Sequence, residues 1–89
     1  MPLLIIRHKV KDFAHWKKAY DAHAGARAKA GLTNGRVTRS ADDPDEIVLI
    51  FDAVDLAQAK AFCASADLRS AMQGAGVSDM LNFYFLNDA

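Results

Sequence analysis

Three short segments of this 89-residue chain carry apolar side chains at alternating positions on both faces. They run from Leu3 to Val10, from Ile47 to Phe51 and from Leu81 to Leu86. A strand is apolar on one face when the other meets water, and nearly continuously apolar when both faces are buried. Two helices can cover only one side of a four-stranded sheet. The sequence therefore predicts that the uncovered side pairs with a second copy of the chain.

The composition indicates one globular domain spanning residues 1–89, because 52% hydrophobic and 25% charged residues are typical of such domains. A domain this small buries a low fraction of its surface, which also favours a dimer. No apolar run approaches the roughly 20 residues of a membrane span, and Leu3–Ile6 is too short for a signal-peptide core. Cys63 is the single cysteine, and we expect it to be a small buried apolar side chain. A single cysteine cannot form an intrachain disulfide, which is consistent with a reducing compartment. We expect a cytoplasmic protein with no membrane partner.

The net charge of zero conceals two oppositely charged halves. Residues 1–40 carry nine Lys or Arg and two Asp, whereas residues 41–89 carry two basic and nine acidic residues. The halves have net charges of +7 and −7. The basic residues alternate with alanine and apolar positions, without the runs or interleaved aromatics of RNA-binding proteins. We expect no nucleic-acid partner and attribute the asymmetry to pairing within the fold or across a dimer.

Turn and capping residues divide the chain into six main elements in the order β-α-β-β-α-β. Asp12 is the predicted N-cap of a long first helix that continues to about Ala30 and ends at Gly31. The other expected elements are strands at Leu3–Val10, Thr33–Ser40 with an irregular entrance at Asn34-Gly35, Glu46–Ala53 and about Leu81–Asn87, a helix at Leu56–Ala64 with Asp55 and Gln58 as a capping box, and a short helix from Ser65 to Met72. This order is the ferredoxin-like arrangement, with one four-stranded antiparallel sheet.

Helical periodicity places several aromatic residues and one arginine on the inward face of the first helix. Trp16, Arg27, Tyr20, Phe13 and Ala24 fall within an arc of about 80°, with His23 at its edge. His8 shares an otherwise apolar strand face with Leu4, Ile6 and Val10, so we expect it to point into the same interior. A buried arginine needs a partner. The candidates are an acid such as Asp52, turn carbonyls, or an anionic ligand.

Residues along the chain resemble those of the small dimeric α/β-barrel proteins, which include cyclase-like and antibiotic-biosynthesis-monooxygenase-like members. These residues are Asp12-Phe13, Trp16-Lys17, Arg27 with Gly31, the Asp43-Pro44 turn, Phe62, Ala71-Met72 and Ala75-Gly76-Val77. The resemblance implies that two ferredoxin-like subunits pack sheet to sheet as a dimeric α/β barrel, each with a pocket between sheet and helices. Some members perform cofactor-free oxygenation, isomerisation or haem breakdown. The first strand lacks the asparagine of the haem-degrading branch, which counts against haem breakdown.

Chemistry in such a pocket would depend on few residues. His8 and His23 are candidate catalytic residues, because histidine exchanges protons near neutral pH. Arg27, Trp16 and Tyr20 are candidate ligand-binding residues. The aromatic residues also fit a plain hydrophobic core, and His8 fits a hydrogen-bonded structural histidine. The sequence shows no metal-ligand spacing, no phosphate-binding glycine loop and no nucleophile elbow, so we expect no metal and no cofactor.

Three functions remain open. The first is a homodimeric barrel that binds a small aromatic or anionic compound between sheet and helices. The second is a cofactor-independent monooxygenase, isomerase or cyclase, in which Arg27 stabilises an enolate or phenolate. The third is a structural or interaction module with a filled core. A cavity of about 300 Å³ or more beside His8 and Arg27 would favour the first two.

Overall fold

The computed structural model describes residues 2–77 and 82–89. Within these ranges it contains four strands and four helices. In chain order they are β1 (Leu3–Lys9), α1 (Phe13–Ala22), α2 (Ala24–Lys29), β2 (Leu32–Arg39), β3 (Glu46–Ala53), α3 (Leu56–Cys63), α4 (Ala66–Gly74) and β4 (Asn82–Leu86). The predicted start of the last strand, Leu81, lies outside the described residues. Among the helices described, none is long and apolar enough to cross a membrane.

The four strands form one sheet in the order β2-β3-β1-β4, and all adjacent strands are antiparallel. The two central strands are those with the most continuous apolar sequence. In this register Leu4 of β1 lies opposite Phe51 of β3 and Phe85 of β4. The predicted ferredoxin-like fold with a four-stranded antiparallel sheet is confirmed.

Period-two alternation gives the sheet two different faces. On the helix side, Leu4 and Ile47 are fully buried, and Ile6, Leu49 and Phe51 are nearly so. The other side carries a second apolar set at the alternate positions: Leu3, Ile5, Val48, Ile50, Tyr84 and Leu86. We call this set the open face. The central residues of the open face are only partly buried. Two side chains at its β4 edge are exposed, Tyr84 by 47% and Leu86 by 40%.

The expected irregularity at the start of β2 is present as a register shift between Thr33 and Arg36. Asn34 adopts a left-handed backbone with φ of 52°, which asparagine tolerates better than most residues. At Gly35 a Cβ would lie 2.8 Å from Cε1 of Phe51 and 3.2 Å from the Tyr20 hydroxyl. Only a residue without a side chain fits there, so the bulge lets β2 pass close over two aromatic rings.

The single long helix expected from Asp12 to Ala30 is wrong, because the chain forms α1 and α2 with a break at His23. His23 has φ of −93° and ψ of 9°, and its N–H is shared between the carbonyls of Ala19 and Tyr20. The following Ala24 and Gly25 are exposed, so no tertiary packing opposes a break beside a weak helix former. The break also turns Ala24 out of the predicted inward arc.

Capping residues begin the helices largely as expected. Asp12, Asp55 and Ser65 accept hydrogen bonds from the backbone N–H of Ala14, Ala57 and Leu68. Gly31, with φ of +76°, follows α2 as predicted. The expected capping box is wrong in its second half, because the Gln58 amide donates to the Lys29 carbonyl at 2.7 Å. Gln58 thus ties α3 to the end of α2.

Candidate functional site

A small cavity lies between the helix side of the sheet and the four helices. All five predicted site residues line it: His8, Trp16, Tyr20, His23 and Arg27. The recess contains about 470 Å³ of space free of protein atoms, part of it open solvent, and centres of water molecules can occupy about 50 Å³. That is room for a few waters, since one water needs roughly 10–15 Å³ by this measure. The cavity is smaller than the roughly 300 Å³ that would favour a binding or catalytic function over a structural module, so its volume alone supports neither of those two functions.

His8 lies at the buried end of the cavity. The residue is 2% exposed, and it alone among the polar and charged residues in the described part of the chain is classed as buried. Its Nδ1 has no hydrogen-bond partner among the described residues. Burial disfavours the charged imidazolium and lowers the pKa of His8 to about 4. At neutral pH His8 is therefore a neutral imidazole whose Nδ1 makes no hydrogen bond to the described residues.

Arg27 stands at the opposite, half-buried end of the cavity. Its Nη1 donates to the Tyr20 backbone carbonyl at 2.7 Å, and its Cζ lies 3.7 Å from the centre of the Tyr20 ring. Partial burial lowers the pKa of Arg27, while Tyr20 and Asp21 act in the opposite direction. The suggested partner Asp52 instead accepts a hydrogen bond from Asn34. Within residues 2–77 and 82–89, no carboxylate forms an ion pair with Arg27.

Trp16 and Tyr20 connect the two polar ends as a series of ring contacts. The His8 and Trp16 ring centres are 5.6 Å apart, and those of Trp16 and Tyr20 are 5.0 Å apart in a stacked arrangement. These two aromatic residues sit four positions apart on α1, which places them on one helix face. The wall therefore runs from the buried imidazole through two aromatic rings to the guanidinium.

His23 enters the cavity wall through the break between α1 and α2. Its ring stacks on Phe62 of α3 with centres 6.0 Å apart. The side chain is half-buried, unlike that of His8. His15 is exposed and does not line the cavity, and its Nε2 lies 2.9 Å from the Gly74 carbonyl at the end of α4.

The sequence reasoning missed the wall that α4 provides. Leu68, Ala71, Met72 and Ala75 all line the cavity. Their spacing of three, four and seven residues is that of one apolar helix face, so a periodicity argument could have found them. It also missed Gly35, because the sequence does not show that two rings pass beneath that residue.

The chain was compared with known proteins through sequence and through structure. Its sequence matches no protein-family model and no curated protein. Solved structures do match over almost the whole chain. An antibiotic biosynthesis monooxygenase has a TM-score of 0.73 at 15% identity, covering 100% of this chain and 99% of its own. A candidate antibiotic biosynthesis monooxygenase from Bordetella bronchiseptica has a TM-score of 0.81 at 16% identity, covering 99% and 96%.

A third similar structure is the cofactor-independent oxygenase SnoaB from Streptomyces nogalater. Its TM-score is 0.72 at 14% identity, and the match covers 99% of this chain and 94% of SnoaB. The chain has the antibiotic biosynthesis monooxygenase-like fold. The resemblance inferred from the sequence is thus confirmed for the fold, and identities this low carry no residue roles from those proteins to this one.

Proposed function

We propose that this protein is a homodimer that binds a small aromatic or anionic compound in the cavity between its sheet and helices. The observation that carries the proposal is the buried Nδ1 of His8, which has no partner in the described residues and belongs to a side chain that lines the cavity. A buried polar atom without a partner costs about 1–3 kcal/mol, so such atoms are rare in filled cores. Arg27 forms no ion pair with a carboxylate of the described residues, and it adds a second group able to bind a ligand.

The cavity volume bears on the alternative of a structural module with a filled core. Trp16, Tyr20 and Phe62 line the space rather than fill it, whereas Phe85 packs against the core. The cavity volume of about 50 Å³ nevertheless limits what can enter without movement. A small ligand whose outer part emerges at Tyr20, His23 and Arg27 fits this shape, because those three side chains are only half-buried.

The dimer rests on the open face. Leu3, Ile5, Val48 and Ile50 form its centre, and Tyr84 and Leu86 extend it across β4. The ion pairs Arg7–Glu46 at 2.8 Å and Lys9–Asp43 at 3.3 Å lie toward one end of the two central strands. An apolar strip with charged groups at one end suits a second copy, and a stable interface would bury about 1,600 Å² in total.

A cofactor-independent monooxygenase is the second candidate, with an isomerase or a cyclase as related alternatives. It is favoured by the structural match to a cofactor-independent oxygenase and by the position of Arg27 beside an apolar cavity. There Arg27 would stabilise a phenolate or enolate formed from the ligand. The low pKa of His8 makes this imidazole a weak proton acceptor, so hydrogen bonding suits His8 better than proton transfer. The half-buried His23 is then the remaining candidate base.

Thermal melting with and without a panel of aromatic acids tests the binding function. We expect an acid at a hundred times its Kd to stabilise the wild type by about 2.7 kcal/mol. Arg27→Met should abolish this gain and leave the unliganded protein nearly unchanged, since no acid is stranded. Arg39→Met is the matched control. The Cζ of Arg39 also lies over an aromatic ring, 4.2 Å from the centre of Phe13, but neither residue lines the cavity.

Two results would count against this function. If no member of the panel raises the melting temperature of the wild type, the cavity is not a site for aromatic acids. If Arg27→Met destabilises the unliganded protein by several kcal/mol, Arg27 is a structural residue and the oxyanion role proposed for the oxygenase fails with it.

A further inference from the structure

The cavity has two polar ends of different chemistry. At the inner end, the imidazole of His8 is neutral and almost completely buried. At the outer end, Arg27 is cationic and half-exposed, with one of its N–H groups bound to the Tyr20 carbonyl. The rings of Trp16 and Tyr20 separate them. A ligand that satisfies both ends must therefore be polar at both ends and apolar between them.

The inner end favours a hydroxyl group over an ion. A neutral imidazole has one nitrogen that donates and one that accepts, and a hydroxyl can do either. A hydroxyl can thus pair with Nδ1 of His8 in either tautomer. A carboxylate can only accept, and it would be desolvated beside a group that carries no compensating charge.

The outer end favours an anion. The guanidinium has five N–H donors in a planar fork that matches a carboxylate. The Tyr20 carbonyl accepts from Nη1 at 2.7 Å, and no carboxylate of the described residues pairs with Arg27. The Tyr20 ring, 3.7 Å from Cζ, covers one face of the guanidinium and holds it at the mouth.

The small volume of the cavity limits the size of the ligand. About 50 Å³ is well below the roughly 150 Å³ of an apolar cavity that accepts benzene. Most of a ring must therefore lie in the opening beside Tyr20 and His23, and a hydroxyl reaches the buried Nδ1 of His8 only when the side chains around that atom move apart. A single ring leaves less of the ligand outside the cavity than a fused ring system does, so it suits the site better.

We propose that the site takes a hydroxy acid with no more than one ring, bound with its hydroxyl at Nδ1 of His8 and its carboxylate at Arg27. This assignment rests on the binding function proposed above and adds the class and the direction of the ligand.

Four probes that differ by one group test this orientation: 3-hydroxybenzoate, 4-hydroxybenzoate, benzoate and phenol. Their Kd values are measured by NMR titration of the wild type, His8→Phe and Arg27→Met. We expect the better hydroxybenzoate to bind the wild type about tenfold more tightly than benzoate, and His8→Phe to bring that ratio near one. In the same way, Arg27→Met should bring the ratio of the hydroxybenzoate Kd to the phenol Kd near one.

His8→Leu is a second variant in case His8→Phe does not fold, and His15→Phe is the control for loss of an exposed histidine. Equal binding of benzoate and both hydroxybenzoates to the wild type would overturn the orientation and leave the binding function standing. A hydroxyl preference that persists in the folded His8 variants would do the same. Absence of binding by all four probes would overturn the orientation and the binding function together.

Discussion

The two faces of the sheet are both apolar, yet they differ in what they leave unsatisfied. The helix side is covered by its own chain, and among the described residues it keeps one buried polar atom without a partner, Nδ1 of His8. In the same part of the chain the open face has no such atom, but it leaves apolar side chains in water, including Tyr84 at 47% exposure. The first deficit suits a small ligand with a hydrogen-bonding group. The second suits a large apolar surface such as another copy of the chain.

The same alternation along β1 produces both deficits. Leu4, Ile6 and His8 point to the helices, and the intervening Leu3 and Ile5 point to the open face. A shift of one residue in register would exchange the two sets. The proposed ligand site and the proposed dimer interface are therefore set by one strand.

The largest expected effect comes from placing a charge at the centre of the open face. Ile50→Asp should convert a dimer into a monomer, because an interface cannot bury an unpaired carboxylate without a large penalty. Sedimentation at micromolar concentration measures the change. Val54→Asp is the matched control, since Val54 is 62% exposed beyond the end of β3. An intact dimer of Ile50→Asp would show that the interface lies elsewhere.

The next effect concerns the helix side and depends on pH. The pKa of His8 is about 4 in the folded protein against an ordinary 6.5, so the unfolded chain binds a proton that the folded chain rejects. The free energy of unfolding is therefore unaffected by this histidine above about pH 6.5. It falls by about 3 kcal/mol as the pH drops toward 4.

His8→Leu should remove that part of the pH dependence. Chemical denaturation at several pH values between 7 and 4 compares the variant with the wild type, and His15→Leu controls for loss of an exposed histidine. Parallel stability profiles for His8→Leu and the wild type would mean that His8 titrates normally, and is therefore not enclosed as described.

A smaller effect is expected at the β2 bulge, where Gly35 lies close to two rings that line the cavity. In Gly35→Ala the new methyl would lie 2.8 Å from Phe51 and 3.2 Å from the Tyr20 hydroxyl, so one ring must move. We expect a loss of about 2 kcal/mol, as for overpacked cores. Gly25→Ala is the control, because nothing lies within 4 Å of its added methyl on α2. Thermal melting should show this control unchanged or slightly stabilised, and equal melting of the two variants would contradict the close packing at Gly35.

The fold was largely predictable because its signals are local. Alternation on β1 and β3, the caps at Asp12, Asp55 and Ser65, and the glycine at 31 each act within a few residues. The break at His23 was not predictable from the helical period, which remains regular through it. Ala24 and Gly25 are exposed, so no tertiary packing holds the helix continuous there, and a sequence does not display packing.

The sequence predicted which residues form the candidate site, but not the partner of Arg27, the cavity volume or the pKa of His8. Two periodicities brought His8 and Arg27 to one interior, and the structure places both on the cavity. The sequence left the partner of Arg27 open, and the structure supplies the Tyr20 backbone carbonyl, which also accepts from the N–H of His23 at the helix break. The cavity volume, the low pKa of His8 and the α4 wall depend on how distant elements pack together.

The most direct test of the central idea observes His8 itself. With ¹⁵N-labelled histidine, NMR can follow the ring nitrogens of all three histidines across pH and on addition of 4-hydroxybenzoate or 3-hydroxybenzoate. We predict that His8 stays neutral down to about pH 4, and that its Nδ1 signal shifts when the better probe binds while that of the exposed His15 does not. A His8 that titrates near 6.5, or a saturating probe that leaves its Nδ1 signal unchanged, would contradict a ligand site built around this buried imidazole.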